Sequence, residues 1–199
     1  MEISTSTTKK GRINILTDGE YQFTVPAFIW YRSPLFGQTE ADGVSLEALR
    51  AEGQAYDAYE KGLRLLGLRA HGTEELRRKL RRDYPADAAN DAITKLTESG
   101  LLDDVSFAEA LAEELFRRKH YAPERITMEL THRGVDAETA KNALNILDID
   151  RKQGIIDIIS KMRLPERISQ KDRNRLIRRL LGAGYTMAEI REAVEVSEE

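Results

Sequence analysis

The sequence predicts a mainly α-helical protein: three tandem three-helix repeats forming an elongated, curved array, preceded by a small N-terminal cap that contains a β-hairpin. Two observations carry this. The apolar pairs Leu76 and Leu80, Ile126 and Leu130, and Leu176 and Leu180 share one four-residue step and recur fifty residues apart. Their flanks echo them: Ala58 and Gly62 are answered by Ala108 and Ala112 and then by Ile158 and Met162, while Asp136 is answered by Thr186. A period of this size marks a supersecondary unit that buries its apolar stripe against its neighbours. The second observation is that the first fifty or so residues lack this period and alternate instead.

In the cap, Arg12 to Leu16 and Glu20 to Val25 place Ile13 and Ile15, then Tyr21, Phe23 and Val25, at every second position. Asp18-Gly19 between them supplies the positive φ of a tight hairpin turn. Residues 1–10 are polar and show no signal-peptide pattern. A lone hairpin is marginal in water, so it must pack on something. Pro26 to Tyr31 is apolar enough to dock it, with Trp30 and Tyr31 serving as core or as a partner surface; burial is the commoner fate of such aromatics. Ser45 before Leu46 to Leu49 reads as a capped short helix.

Four segments follow: residues 1–53 as the cap, and repeats over 54–103, 104–148 and 149–199. The first repeat is expected to hold helices from about residue 54 to 70, from Thr73 to about Arg82, and from Pro85 onward. Thr73 suits an N-cap and Pro85 a first-turn position. The second opens near Asp104, restarts at Pro123, stops at Gly134 with a left-handed glycine, and restarts at Asp136. The third begins with Ile155, Ile156, Ile159 and Met162, continues through Leu176 to Leu181, and ends with a Thr186–Glu189 capping box ahead of Ile190.

At 199 residues, 41% hydrophobic and 33% charged, the chain has the composition of a soluble globular protein. It contains no cysteine, which excludes disulfides and thiolate chemistry and points to a reducing, cytoplasmic address. No apolar run reaches the roughly 20 residues of a membrane helix, so no membrane partner is expected. The net charge of -3 hides two basic islands. Between residues 64 and 82, seven cations face only Glu74 and Glu75; between 161 and 182, eight, including Arg167, face Glu166 and Asp172. The C-terminus reverses sign, with Glu189, Glu192, Glu195, Glu198 and Glu199 against Arg191.

At about 100° per residue, Arg77 with Arg81 and Arg78 with Arg82 form two adjoining rows opposite Leu76 and Leu80. Arg175, Arg178 and Arg179 repeat this opposite Leu176 and Leu180, with Arg173 at the helix start. The middle repeat instead carries Arg117, Arg118 and Lys119 just before its second helix. Such residues serve as ordinary solvated faces and helix C-terminal charges. As clusters, they also match the footprint that neutralises phosphates or meets an acidic protein surface. With Tyr84 and Tyr121 the only nearby rings, contact with single- or double-stranded DNA would be to backbone, weak, nonspecific and salt-sensitive.

No catalytic residue is expected. His71, His120 and His132 lack metal-ligand spacing and read as ordinary surface histidines, and there is neither a nucleophile motif nor a Walker-type loop. No metal and no cofactor are expected. Asp103 and Asp104 suit a helix cap better than acid–base work.

The run Gly100-Leu101-Leu102-Asp103-Asp104 followed by Phe107-Ala108, the lead-in Leu66 to Leu76, and the threefold repeat together resemble RecX, the bacterial regulator family of the RecA recombinase. The resemblance spans nearly the whole chain. Asp83-Tyr84-Pro85 departs from a common Lys-Gly turn, and the third repeat matches only in pattern. In the motif, Gly100 would end one helix, Leu101 and Leu102 would fill the crevice between repeats, Asp103 or Asp104 would cap the next helix, and Phe107 would anchor its first turn. The resemblance implies a monomer that binds the RecA filament and limits filament extension, ATP hydrolysis, strand exchange and co-protease activity. A DNA-binding protein acting without a recombinase and a helical scaffold for another partner are the competing expectations.

Overall fold

The computed structural model describes residues 1–165 and 169–196; Glu166 and Arg167 of the second basic island and Glu198 and Glu199 of the acidic end lie outside the described residues. Among the described residues there are three strands and ten helices, in two compact units: residues 1–71 with 75–102, and residues 72–74 with 103 onward.

The first unit begins with an antiparallel sheet of order β1-β2-β3, formed by Ile3–Thr7, Arg12–Thr17 and Glu20–Pro26. Asp18 and Gly19 both take positive φ, 50° and 83°, as the expected tight turn requires. A register shift between Ile15 and Leu16 breaks the alternation foreseen for β3. Val25 is fully buried and Phe23 partly so, while Tyr21 is 61% exposed. Strand β1 lies outside the two-strand pattern expected of the cap. Only Ile3 of its five residues is buried, so it has no two-residue apolar period to detect, and ladder pairing with β2 holds it in place.

Helix α1, Ala27–Arg32, sends Ile29 and Trp30 into the core under the sheet and leaves Tyr31 in solvent. Helix α2, Gly43–Leu68, replaces the two helices expected there, and the boundary anticipated between residues 53 and 54 lies inside it. Its N-cap is Asp42 rather than Ser45: the Asp42 carboxylate accepts the Ser45 N–H at 2.9 Å and the Ser45 hydroxyl at 2.7 Å. Gly53 does not break the helix because close packing requires it. A Cβ there would lie 2.7 Å from Val25 Cγ1. One helix thus serves two cores, Leu46 and Leu49 packing with Ile13, Ile15, Val25 and Trp30, and Ala58 packing with Leu76, Leu80, Ile93 and Leu96. Arg12 on β2 pins the sheet to α2 through a bidentate contact with Asp57, 2.8 and 2.7 Å.

The first repeat is completed by α3, Thr73–Leu80, and α4, Ala86–Glu98. The Asp83-Tyr84-Pro85 departure has a local explanation: Asp83 pairs with Lys61, Tyr84 packs against the core, and Pro85 is the N-cap of α4.

The second unit holds α5, Asp104–Lys119; α6, Pro123–His132; α7, Ala137–Asn145; α8, Arg151–Lys161; α9, Gln170–Gly182; and α10, Met187–Val196. Phe107, Leu111, Leu115, Ile126 and Leu130 centre one core, and Ile155, Ile158, Leu176, Leu180, Tyr185 and Ile190 the next. The expected caps are present at Asp136 and in the Thr186–Glu189 box. Within the family-like motif, Gly100 has φ +69° beyond the end of α4, Leu102 is buried, and Phe107 and Ala108 are buried in the core of the second repeat. Leu101, expected to fill a crevice, is instead 50% exposed. The two carboxylates divide the work. Asp103 caps α5, accepting from Val105 and Ser106, whereas Asp104 accepts the Thr73 N–H at 2.7 Å.

The same joint recurs fifty residues on. Gly134, at φ +88°, brings its backbone against Glu74, where a Cβ would sit 2.4 Å from Glu74 Cβ. Gly184, at φ +96°, does the same against Arg125. Each turn into the last helix of a repeat therefore seats the start of the middle helix of the repeat before it.

Candidate functional site

The first basic island lies on α3 and the turn after it. Helix α3 stops at Leu80, so Arg81 and Arg82 stand exposed in the turn, not in the helical rows expected with Arg77 and Arg78. Arg77 is half-buried and Arg78 exposed. Lys79 is engaged internally, its ammonium donating to His71 Nε2 at 3.0 Å and lying 3.6 Å from Glu75. His71, read as a surface residue, is only 4% exposed, and its Nδ1–H donates to the Arg69 carbonyl at 2.9 Å. Burial pushes its pKa below the usual histidine range.

The cations of the second and third repeats behave differently, because folding brings them together. The C-terminus of α5 supplies Arg118 and Lys119, the end of α8 supplies Lys161, and one face of α9 supplies Arg175, Arg178 and Arg179. They line a groove of about 590 Å3 floored by Ile158, Met162 and His120. Among the described residues, no carboxylate lines it. Arg175, Arg178 and Arg179 project away from Leu176 and Leu180, which anchor the opposite side of α9 in the core. Arg118 leans on Glu114 at 3.4 Å, an exposed pair of the kind that contributes little to stability and leaves the guanidinium available. The Lys119 ammonium sits 5.5 Å from the centre of the Tyr121 ring.

Of the residues singled out from sequence, the groove collects Arg118, Lys119, Arg175, Arg178 and Arg179. Arg77, Arg78, Arg81 and Arg82 belong to the other unit, Arg117 pairs with Glu113 at 2.9 Å, and Arg173 lies outside the lining. Lys161 and His120 were not singled out. Neither carries a motif, and only the packing of α8 against α5 reveals them.

His120 ends α5 in the left-handed conformation, φ +54°, with an 11% exposed side chain, against its reading as a surface histidine. Its Nδ1 lies 3.3 Å from Asp157 Oδ2, and its Nε2 accepts from the Lys161 ammonium. Gln153 donates to the other Asp157 oxygen at 2.9 Å. The Tyr185 hydroxyl donates to the His120 carbonyl at 2.9 Å, fixing the backbone under the groove, and burial raises the Tyr185 pKa to about 12. Burial first, and then the Lys161 charge, hold the His120 pKa below the usual range, opposed by Asp157.

This arrangement of cations can bind an anion. Among the described residues, no three His, Cys, Asp or Glu side chains are placed to hold a metal, and no helix is long and apolar enough to cross a membrane.

Comparison with known proteins agrees on one family. Residues 58–96 match the model for the first three-helix domain of RecX, and residues 103–144 match that for its second. The regulatory protein RecX of Mycolicibacterium smegmatis is 33% identical over 143 residues, 67% of this chain and 76% of the relative. That of Bacillus velezensis is 27% identical over 201 residues, 99% of this chain and 76% of the relative. A crystal structure of a regulatory protein RecX superposes with a TM-score of 0.62 at 20% identity, covering 98% of both chains, which supports the fold.

Proposed function

Since the chain belongs to the RecX family of regulatory proteins, we propose that it modulates RecA recombinase filaments, binding the recombinase, its DNA, or both, so as to limit filament extension, ATP hydrolysis, strand exchange and co-protease activity. The observation that carries this reading is the cationic groove, in which cations from three helices converge and, among the described residues, no carboxylate joins the lining. A filament presents regularly spaced phosphates and protein surface, and a protein that occupies them obstructs growth without chemistry of its own. Contacts from separate repeats would add through effective concentration, so each can be modest. Among the described residues, six lysines and arginines and no Phe, Tyr or Trp line the groove, which suits sequence-independent contact with backbone.

The test is the single-stranded-DNA-dependent ATPase of the cognate RecA, with this protein added after filaments form and naked-DNA binding measured at the same salt. Inhibition at protein levels well below the recombinase concentration, where naked DNA is barely bound, supports a filament regulator. Unchanged ATPase beside tight DNA binding supports a DNA-binding protein that acts without the recombinase. Charge reversal at Arg78 and Arg82 of the first island and, separately, at Arg175 and Arg178 is expected to weaken inhibition; full inhibition by both variants would remove the basic surfaces from the mechanism.

A further inference from the structure

The groove contains one group whose charge is not fixed. His120 lies on its floor between Lys161 and Asp157 on α8, beneath Arg118 and Lys119 of α5 and facing Arg175, Arg178 and Arg179 of α9, with Tyr185 bound to its carbonyl. The Lys161 ammonium donates to Nε2, a contact that a neutral imidazole alone can accept. A phosphate entering among these cations offers Lys161 a charged acceptor in place of the imidazole. Nε2 is then free to bind a proton and donate to the phosphate, while Asp157, steadied by Gln153, faces the other end of the imidazolium.

We propose that this groove is a proton-linked phosphodiester site, in which His120 takes up a proton as a nucleic-acid phosphate settles beside Lys161. The inference rests on the proposed function, since it assumes that the groove meets a nucleic-acid backbone. The sign follows from linkage. Burial and Lys161 disfavour the imidazolium at His120, and a phosphate beside Nε2 favours it, so the phosphate-bound state holds more protons. Affinity therefore rises as pH falls through the histidine range. The left-handed backbone at His120, tied down by Tyr185, keeps the ring at the floor rather than at the rim, where bulk water would screen the coupling.

The experiment is fluorescence anisotropy of a labelled oligothymidylate with the full chain at pH 6 and pH 8 at constant ionic strength, a span in which an unperturbed histidine titrates (about pH 5 to 8). The wild type is expected to bind up to about tenfold more tightly at the lower pH. His120→Asn keeps a residue that tolerates the left-handed conformation and is expected to lose that dependence while still binding. Arg175→Glu with Arg178→Glu is expected to bind weakly at both pH values. Calorimetry in two buffers of different ionisation enthalpy is expected to register proton uptake by the wild type and none by His120→Asn. Equal pH dependence in wild type and His120→Asn, or no proton uptake by the wild type, overturns the linkage while leaving the groove as a backbone site. Wild-type affinity in the double charge reversal overturns the site itself, and with it the assumption that the groove contacts DNA.

Discussion

At the scale of single residues, the joints between repeats depend on atoms that are missing. Gly134 combines a left-handed backbone with a position where a Cβ would meet Glu74 at 2.4 Å, so alanine there is opposed twice. Gly134→Ala is expected to cost about 2 kcal/mol in a urea titration followed by circular dichroism. Gly154 leaves room for the Tyr185 hydroxyl, which would lie 2.2 Å from an added Cβ. Gly154→Ala must therefore displace Tyr185 from the His120 carbonyl, at an expected cost of about 1 to 3 kcal/mol. Gly43, near the start of α2, has nothing within 4 Å of an added Cβ and serves as the comparison; Gly43→Ala is expected to be neutral or slightly stabilising by the same titration. Gly134 could be read from sequence as a helix stop. Gly154 could not, because its partner Tyr185 is thirty-one residues away and the constraint exists only once α8 packs beside it.

At the scale of elements, helix starts and turns were the most legible features and helix continuity the least. Asp136, the Thr186–Glu189 box and Asp18-Gly19 act where their local chemistry places them, since a cap or a tight turn involves residues two to four apart. Helix α2 shows the opposite. Ser45 looks like a start and a boundary is expected after residue 53, yet Asp42 starts the helix and Gly53 lies within it, where a Cβ would lie 2.7 Å from Val25 Cγ1. Gln54→Pro tests that continuity. In one unbroken helix it removes a backbone hydrogen bond and clashes one turn back, costing about 3 kcal/mol or more, whereas between two helices it would be tolerated. The urea midpoint of the first unit distinguishes the two. The basic helices were legible as cationic but not as sites: α3 and α9 have similar sequence patterns, yet Lys79 of α3 turns inward to His71 while α9 faces a groove.

At the scale of the whole molecule, the carboxylates and histidines whose pKa values move share one sign, downward. The Arg151 guanidinium holds the Glu189 pKa down to about 2 and also contacts Glu124, tying α6, α8 and α10. Hydrogen bonds from Ser45, Ser106 and Thr139 lower the pKa values of the cap carboxylates Asp42, Asp103 and Asp136. For these groups the folded state releases protons more readily than the unfolded chain, so their stabilisation is full above the ordinary values of 4.5 for Glu and 3.8 for Asp and is lost as pH falls below them. His71 and His120, depressed below 6.5, act in the same direction, and their contribution declines as pH falls beneath that value. The urea midpoint is therefore expected to be flat between about pH 7 and 9, to decline gently below that range, and to fall steeply below about pH 4.5. Arg151→Met, which removes the partner of Glu189, should reduce the steep part and leave the gentle part intact; an unchanged steep limb would assign the acid sensitivity to the caps.

The amino-acid sequence by itself determined the repeat, the apolar stripe of each helix, most helix starts, the hairpin turn and the family, because these depend on residue types at short fixed spacings or on the repeated order of such spacings. Tertiary structure decided which cations converge. Arg118, Lys161 and Arg178 stand on three helices separated by tens of residues, and nothing in their local sequence distinguishes them from Arg117, which pairs along its own helix, or Lys79, which turns inward. Electrostatic potential adds over distance in space, whereas a sequence displays charge only along the chain, so a site made by convergence appears only when the helices have packed.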